Sequence, residues 1–214
     1  MSSKYSIPID RHVLIAGMTR SGKSFFCEQV LARYTYVVKL DTKHEYLERR
    51  RKGESVWDGL TEGKDFVIVH DLDSLEEAET DKIIYAPPFE LQDMESFDAF
   101  FMWIYERENT ILWIDELMSF TTAHSYSKQL HKLMIMGNSK NIGVWSCTQR
   151  PAGIPTIILA NVYYIIAFNL NFPADRKKLA EITGDENFLE KPEDHNFWFY
   201  RMGDEEATKA VIVI

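Results

Sequence analysis

Short apolar runs recur along the chain with little alternation: HVLIA at 12–16, YVVKL at 36–40, FVIVH at 66–70, ILWI at 111–114, GVWSC at 143–147 and YYIIAF at 163–168. A strand with one wet face alternates, whereas parallel strands covered on both faces read as near-continuous apolar runs. Helical periodicity fills the spaces between several of these runs. In DMESFDAFFMWIYER, Met94, Phe97, Phe100, Phe101 and Ile104 fall on one face, and in SKQLHKLMIMG so do Leu130, Leu133 and Met134. SFFCEQVLARY predicts a helix directly after the first strand. The ending NFWFYRMGDEEATKAVIVI predicts two strands turning at Gly203 and Asp204, a C-terminal hairpin over 196–214 that extends the sheet. The pattern predicts an α/β fold with a mainly parallel central sheet flanked by helices. In such sheets ligands sit at the carboxyl ends of the strands.

Those ends carry the candidate chemistry. The first strand runs into IAGMTRSGKS, where Gly17, four intervening residues, Gly22, Lys23 and Ser24 complete a phosphate-binding pattern. The glycines permit backbone angles closed to other residues, so amides from Thr19 to Ser24 can turn inward onto phosphate oxygens at a helix N-terminus. The candidate cradle is Gly17, Met18, Thr19, Arg20, Ser21, Gly22, Lys23, Ser24 and Phe25, with Lys23 reaching the β- and γ-phosphates and Ser24 offering its hydroxyl to Mg²⁺. ILWIDE ends in Asp115, suited to a Mg²⁺ water, and Glu116, suited to polarising an attacking water. FVIVHD ends in His70 and Asp71 but lacks the second acid. GVWSCTQRP places Gln149 at another strand end, where an amide can bond the γ-phosphate or the lytic water and report hydrolysis. His124 and His131 are expected to be structural or surface residues.

At 214 residues, with 45% apolar and 27% charged residues, the chain is expected to be one domain, 1–214, with residues 1–10 as an N-terminal extension. The formal net charge of −9 argues against wholesale coating of nucleic acid, although an acidic ring can carry a basic channel. Cys27 and Cys147 are expected to be buried reduced thiols. Pro151 to Ala174 carries no charged residue, yet its prolines and asparagines divide it into a short helix, TIILAN, and a buried strand. No transmembrane segment or targeting segment is expected. ERRRKGE at 48–54 is a basic run that reads either as a solvated helix end or as a DNA-facing loop, and DLDSLEEAETD reads as an exposed acidic segment.

GMTRSGKS, KLDTKHEY after the second strand, ILWIDEL and SCTQRPAGIP together resemble the HerA/FtsK superfamily of DNA-pumping ATPases. Within that superfamily they are most similar to the small genome-packaging ATPases of viruses with internal membranes. IIAFNLNFPADRKKLAEITG resembles the family's closing strand and helix, so the likeness spans about residues 11 to 184. The resemblance implies a RecA-like P-loop (ASCE) NTPase core, ATP and Mg²⁺ as cofactors, and a homo-oligomeric ring, a pentamer or hexamer. It also implies double-stranded DNA as the moved substrate, with a viral capsid or membrane-vertex protein as a further partner, in the host cytoplasm or at a packaging vertex. It assigns phosphate binding to Lys23, magnesium to Ser24 and Asp115, the catalytic base to Glu116 and sensing to Gln149. Relatives often carry an arginine shortly before the sensor strand that reaches the neighbour's nucleotide. Here GNSKNIG offers Asn138 and Lys140 instead, which leaves Arg150, Arg176 and Arg107 as candidates. Arg49, Arg50, Arg51 and Lys52 are the first candidates for gripping DNA, with Lys128, Lys132, Lys140, Arg176, Lys177 and Lys178 next. Three alternatives stay open: a cellular or plasmid translocase, a small-molecule kinase, and a scaffold that does not hydrolyse nucleotide.

Overall fold

Each apolar run forms a strand of the computed structural model, which describes residues 7–122, 125–193 and 195–212, with only the backbone at 122 and 125. The strands are β1 (Val13–Ala16), β2 (Val37–Leu40), β3 (Val67–Val69), β4 (Lys82–Tyr85), β5 (Ile111–Ile114), β6 (Thr121–Thr122), β7 (Ser125–Tyr126), β8 (Gly143–Thr148), β9 (Tyr164–Ala167), β10 (Asn196–Arg201) and β11 (Thr208–Val211). The helices are α1 (Lys23–Leu31), α2 (Glu45–Lys52), α3 (Leu72–Glu76), α4 (Met94–Arg107), α5 (Lys128–Met136), α6 (Thr156–Leu159) and α7 (Pro173–Thr183).

One nine-stranded sheet runs in the order β11, β10, β9, β1, β8, β5, β2, β4, β3, while β6 and β7 pair separately. Strands from β9 to β3 are parallel, and β10 joins antiparallel to both β9 and β11 as the expected C-terminal hairpin. Alternate residues of β1, β2, β5 and β8 feed two separate cores, one per face, which is why these strands read as continuous apolar runs. On one face Ile15, Trp113, Trp145 and Cys147 pack with Cys27 and Leu31 of α1 and Tyr46 of α2. On the other, Leu14, Leu112, Ile114 and Val144 pack with Phe97, Phe100, Phe101 and Ile104 of α4, Leu130, Leu133 and Met134 of α5, and Leu179 of α7. The strand order fixes the site. β8 lies between β1 and β5, so the loop after β1, Gln149 after β8 and the Asp115–Glu116 pair after β5 emerge side by side.

Several elements depart from the sequence reading. Met94 opens α4 but is exposed, so the apolar face begins at Phe97. The acidic segment contains α3, capped by Asp71, which accepts from Ser74 N at 2.7 Å, and pinned by buried Leu75. Of the two readings of the basic run, the helix end is the one observed: Arg49 to Lys52 form the last turn of α2, whose stop is Gly53 at φ 70°. Of the expected N-terminal extension, Ile7 is buried and its carbonyl accepts from Tyr34 Oη at 2.6 Å.

His12, just before β1, is fully buried, and its Nδ1 accepts from Val144 N at 2.9 Å. Burial pulls its imidazole from 6.5 down to about 4. The folded protein keeps this ring neutral while the unfolded chain would protonate it. The stabilisation is therefore present above pH 6.5 and lost as pH falls towards 4. The loss should be about 3 kcal/mol over that window. Urea unfolding at pH 7.0 and 4.5 checks this: His12→Asn, which keeps an acceptor, should lose much less between the two pH values than the parent.

Candidate nucleotide site

The loop between β1 and α1 is tied at its start to both flanking strands. Gly17 N donates to Thr148 O at 3.1 Å and Met18 N to Asn169 O at 2.8 Å. A Cβ on Gly17 would lie 2.5 Å from Ser21 Oγ and 2.8 Å from Phe168 Cβ, so only glycine fits there. Gly22 enters α1 at φ 103°, a conformation that a side chain would strain. Lys23 is buried and donates to the carbonyls of Gly17 and Met18 at 2.8 and 2.9 Å, folding its ammonium back over the loop. Burial pulls that ammonium below the ordinary lysine range, against the opposing pull of neighbours including Asp115 and Glu116. Arg20, at φ 62°, and Thr19 are exposed, and Phe25 is half-buried in the first turn of α1.

The strand-end residues expected to act together are together. Ser24 Oγ donates to Asp115 Oδ1 at 3.0 Å. Gln149 Nε2 donates to Glu116 Oε2 at 3.4 Å, and Thr19 Oγ1 donates to Gln149 Oε1 at 2.9 Å, closing a chain from the phosphate loop to the acidic pair. Ser21 Oγ, Glu116 Oε1 and Asn169 Oδ1 are buried without a hydrogen-bond partner. An unmet buried polar atom costs about 1–3 kcal/mol; Ser21 Oγ can donate to a phosphate oxygen, whereas Glu116 Oε1 and Asn169 Oδ1 only accept and suit a donor such as water. Among the described residues no group of three or more His, Cys, Asp or Glu side chains could hold a metal. Ser24 with Asp115 is a sparse oxygen set, the kind Mg²⁺ accepts when phosphates and waters supply the rest.

The remaining candidates sort by position. Arg150 follows Gln149 and is exposed. Its Nε donates at 3.0 Å to Asp175, which is fully buried, and its guanidinium stacks over Phe172 at 4.5 Å. Arg176 is spent on the carbonyls of Leu170, Asn171 and Leu189. Arg107 ends α4 ahead of β5, at the amino ends of the strands and away from the site, and Lys140 there pairs with Glu108. His70 and Asp71 lie after the edge strand β3, where His70 Nδ1 contacts Ala86 O at 2.9 Å, so the second acidic strand end takes no part in the site. His131 packs against Tyr126, and His124 lies outside the described residues. Cys27 and Cys147 are free and buried, their sulfurs 3.7 Å apart.

The basic run is largely committed to carboxylates. Arg49 bonds Glu28 at 2.7 and 3.0 Å and also reaches Ser55 O and Val56 O, Arg50 pairs with Glu62, and Lys52 pairs with Glu48 at 2.7 Å. Only Arg51 of the four has no ion pair or hydrogen bond among the described residues. Glu28 is 1% exposed. Arg49→Ala should therefore destabilise the fold by about 2–3 kcal/mol, short of the ~3–5 kcal/mol of a wholly buried pair because Arg49 keeps some exposure. Arg51→Ala should stay within about 0.5 kcal/mol. Equilibrium urea unfolding separates the two.

Two lysines of β2 and its following turn were not singled out from the sequence. Lys39 is buried in β2 against the Trp113 ring at 4.4 Å, and its Nζ lies 3.6 Å from Glu45. Burial pulls its ammonium down, yet Asp115, then Glu45, Asp41 and Glu28 outweigh this and hold it above the ordinary lysine range. The available signal was a charged residue inside YVVKL, an otherwise apolar run. Lys43 is half-exposed, with Nζ 3.5 Å from Glu116 Oε2 and 3.9 Å from Asp115 Oδ2.

The order of β9, β1, β8, β5 and β2, with a glycine-rich loop at β1 and the acidic pair at β5, defines a RecA-like P-loop NTPase fold. It is shared at 14% identity and a TM-score of 0.71 with the genome packaging NTPase B204 from Sulfolobus turreted icosahedral virus 2 in complex with ATP-gammaS, over 97% of this chain and 100% of that one. VirB4 of Thermoanaerobacter pseudethanolicus is similar at 12% identity and a TM-score of 0.63, over 97% and 93% of the two chains. The pCW3 conjugation coupling protein TcpA with ATPgS is similar at 17% identity and 0.56, over 95% of this chain and 60% of that one. A family model described as RNA helicase matches residues 13–98, which include the phosphate loop but stop short of Asp115. No curated protein matches the sequence. No described helix is long and apolar enough to cross a membrane.

Proposed function

We propose that the chain is an ATP-hydrolysing motor that translocates double-stranded DNA, and that its cargo is a viral genome being packaged into a preformed capsid. The observation that carries this reading is the continuous contact from Thr19 through Gln149 to Glu116, beside the Ser24–Asp115 pair. It joins a phosphate loop, a neutral sensor amide and an acidic pair from three adjacent strands. Bound ATP would supply an electrophilic γ-phosphorus, and Mg²⁺ would neutralise negative charge on the phosphate oxygens around it. Amides of the 17–24 loop and Lys23 would hold the phosphates, Ser24 and Asp115 would hold the cation, and Glu116 would take a proton from the attacking water. Gln149 bonds both the loop and the base, so a change in either is felt by the other.

The likeness over all of B204, a genome packaging NTPase, supports the packaging cargo. The likeness to VirB4 and TcpA supports the second reading, a cellular or plasmid translocase of the same architecture. The whole chain would act as one motor unit repeated in a ring of five or six copies. Arg150 is then the foremost candidate to act on the neighbouring copy's nucleotide, because Asp175 and Phe172 hold an exposed guanidinium at the sensor strand's end. Steady-state ATPase with and without duplex DNA tests the reading. Stimulation by duplex is the expected result. Dependence on a small phosphate acceptor would indicate a kinase, and absence of hydrolysis a scaffold.

A further inference from the structure

The turn that carries Lys43 is held on both sides of it. Asp41 accepts from Glu45 N at 3.1 Å and from Tyr46 N at 3.2 Å, one with each carboxylate oxygen. Gln92 Nε2 donates to Thr42 O at 3.0 Å. His44 sits at φ 55°, a region non-glycine residues seldom enter, with Nε2 2.8 Å from Pro87 O and its ring packed on Phe89 at 5.3 Å. Strain of this kind persists where the surroundings over-determine it, and here five contacts do so. The turn delivers the Lys43 ammonium from β2, on one flank of β5, to Glu116 Oε2 at 3.5 Å. Gln149 reaches the same oxygen at 3.4 Å from β8, on the other flank.

Both donors therefore load one carboxylate oxygen, and the other, Oε1, is buried with none. We propose that Lys43 is a positioning residue for Glu116, clamping Oε2 together with Gln149 so that Oε1 is the oxygen presented to the reacting water. This rests on the ATPase reading. The Glu116 carboxylate only accepts, which fixes the sense of the amide: Gln149 Nε2 is the end turned to it, and Thr19 Oγ1 donates to Oε1 on the far side. Without Lys43 the carboxylate has one donor and can rotate about its last side-chain bond, and a misplacement of about 1 Å at a reacting group can cost about 10²-fold.

Lys43→Met keeps an unbranched side chain one atom shorter and removes its charge and N–H groups. It should lower kcat at least about 10-fold while leaving the Kd for ATPγS within about 2-fold, and Lys43→Arg should recover most of the lost kcat. Because Lys43 is half-exposed, Tm should hardly move in either variant. An unchanged kcat in Lys43→Met would overturn the clamp. So would a Kd for ATPγS weakened 10-fold or more with ADP binding intact, since Lys43 would then be a phosphate ligand. If the parent chain binds ATPγS but never hydrolyses ATP, the motor reading fails, and the clamp is read from crystal structures of the parent and Lys43→Met instead. The Glu116 carboxylate should hold one orientation in the parent and leave it in Lys43→Met, and an unmoved carboxylate would overturn the clamp.

Discussion

Glu116→Gln should leave the protein folded and able to bind ATP while lowering turnover by about 10²–10⁴-fold, the range associated with a positioned general base. The amide matches the carboxylate in size and can accept from Lys43 and Gln149 through its oxygen, which preserves the contacts at 3.5 and 3.4 Å. Its nitrogen, placed where Oε1 now lies buried and unpartnered, cannot take a proton from water. Single-turnover hydrolysis alongside equilibrium binding of ATPγS checks both halves. Hydrolysis at the parental rate would remove Glu116 from the role of base.

Lys23→Ala should act earlier, on binding itself. The Lys23 ammonium donates to Gly17 O and Met18 O, so its loss frees the loop and also removes a cation from the phosphates. A charge-assisted hydrogen bond contributes about 1.5–3 kcal/mol, or roughly 10- to 100-fold in affinity. ATPγS should therefore bind at least about tenfold more weakly, and kcat should fall as well. Isothermal titration measures the first effect. An affinity equal to the parent's would place the nucleotide elsewhere.

The legible parts of the fold were those written as local pattern. Continuous apolar runs gave β1, β2, β3, β5, β8 and β9 to within a residue or two, because burial on both faces leaves few polar positions to blur the pattern in all but the half-buried edge strand β3. β4 escaped because KIIY is four residues long, set between an acidic segment and two prolines, and draws its stability from pairing with β2 and β3. α2 is dense in charge, and the carboxylates that absorb its arginines come from Glu28, in α1, and Glu62, beyond its own end. Those partners are distant or out of phase in sequence, so the run read as free cation. At the candidate site, Gly17, Lys23, Ser24, Asp115, Glu116 and Gln149 were each recognisable as the residue type the proposed chemistry needs. Lys39 and Lys43 were not, since their meaning depends on β2 lying beside β5, which no local pattern states.

The most direct test of the motor reading is displacement of a third strand from a DNA triplex, because it requires movement along intact duplex. The parent chain should displace the strand with ATP, fail with ATPγS, and fail as Glu116→Gln even when duplex is bound. Hydrolysis indifferent to duplex, with no displacement at any ATP concentration, would contradict the account.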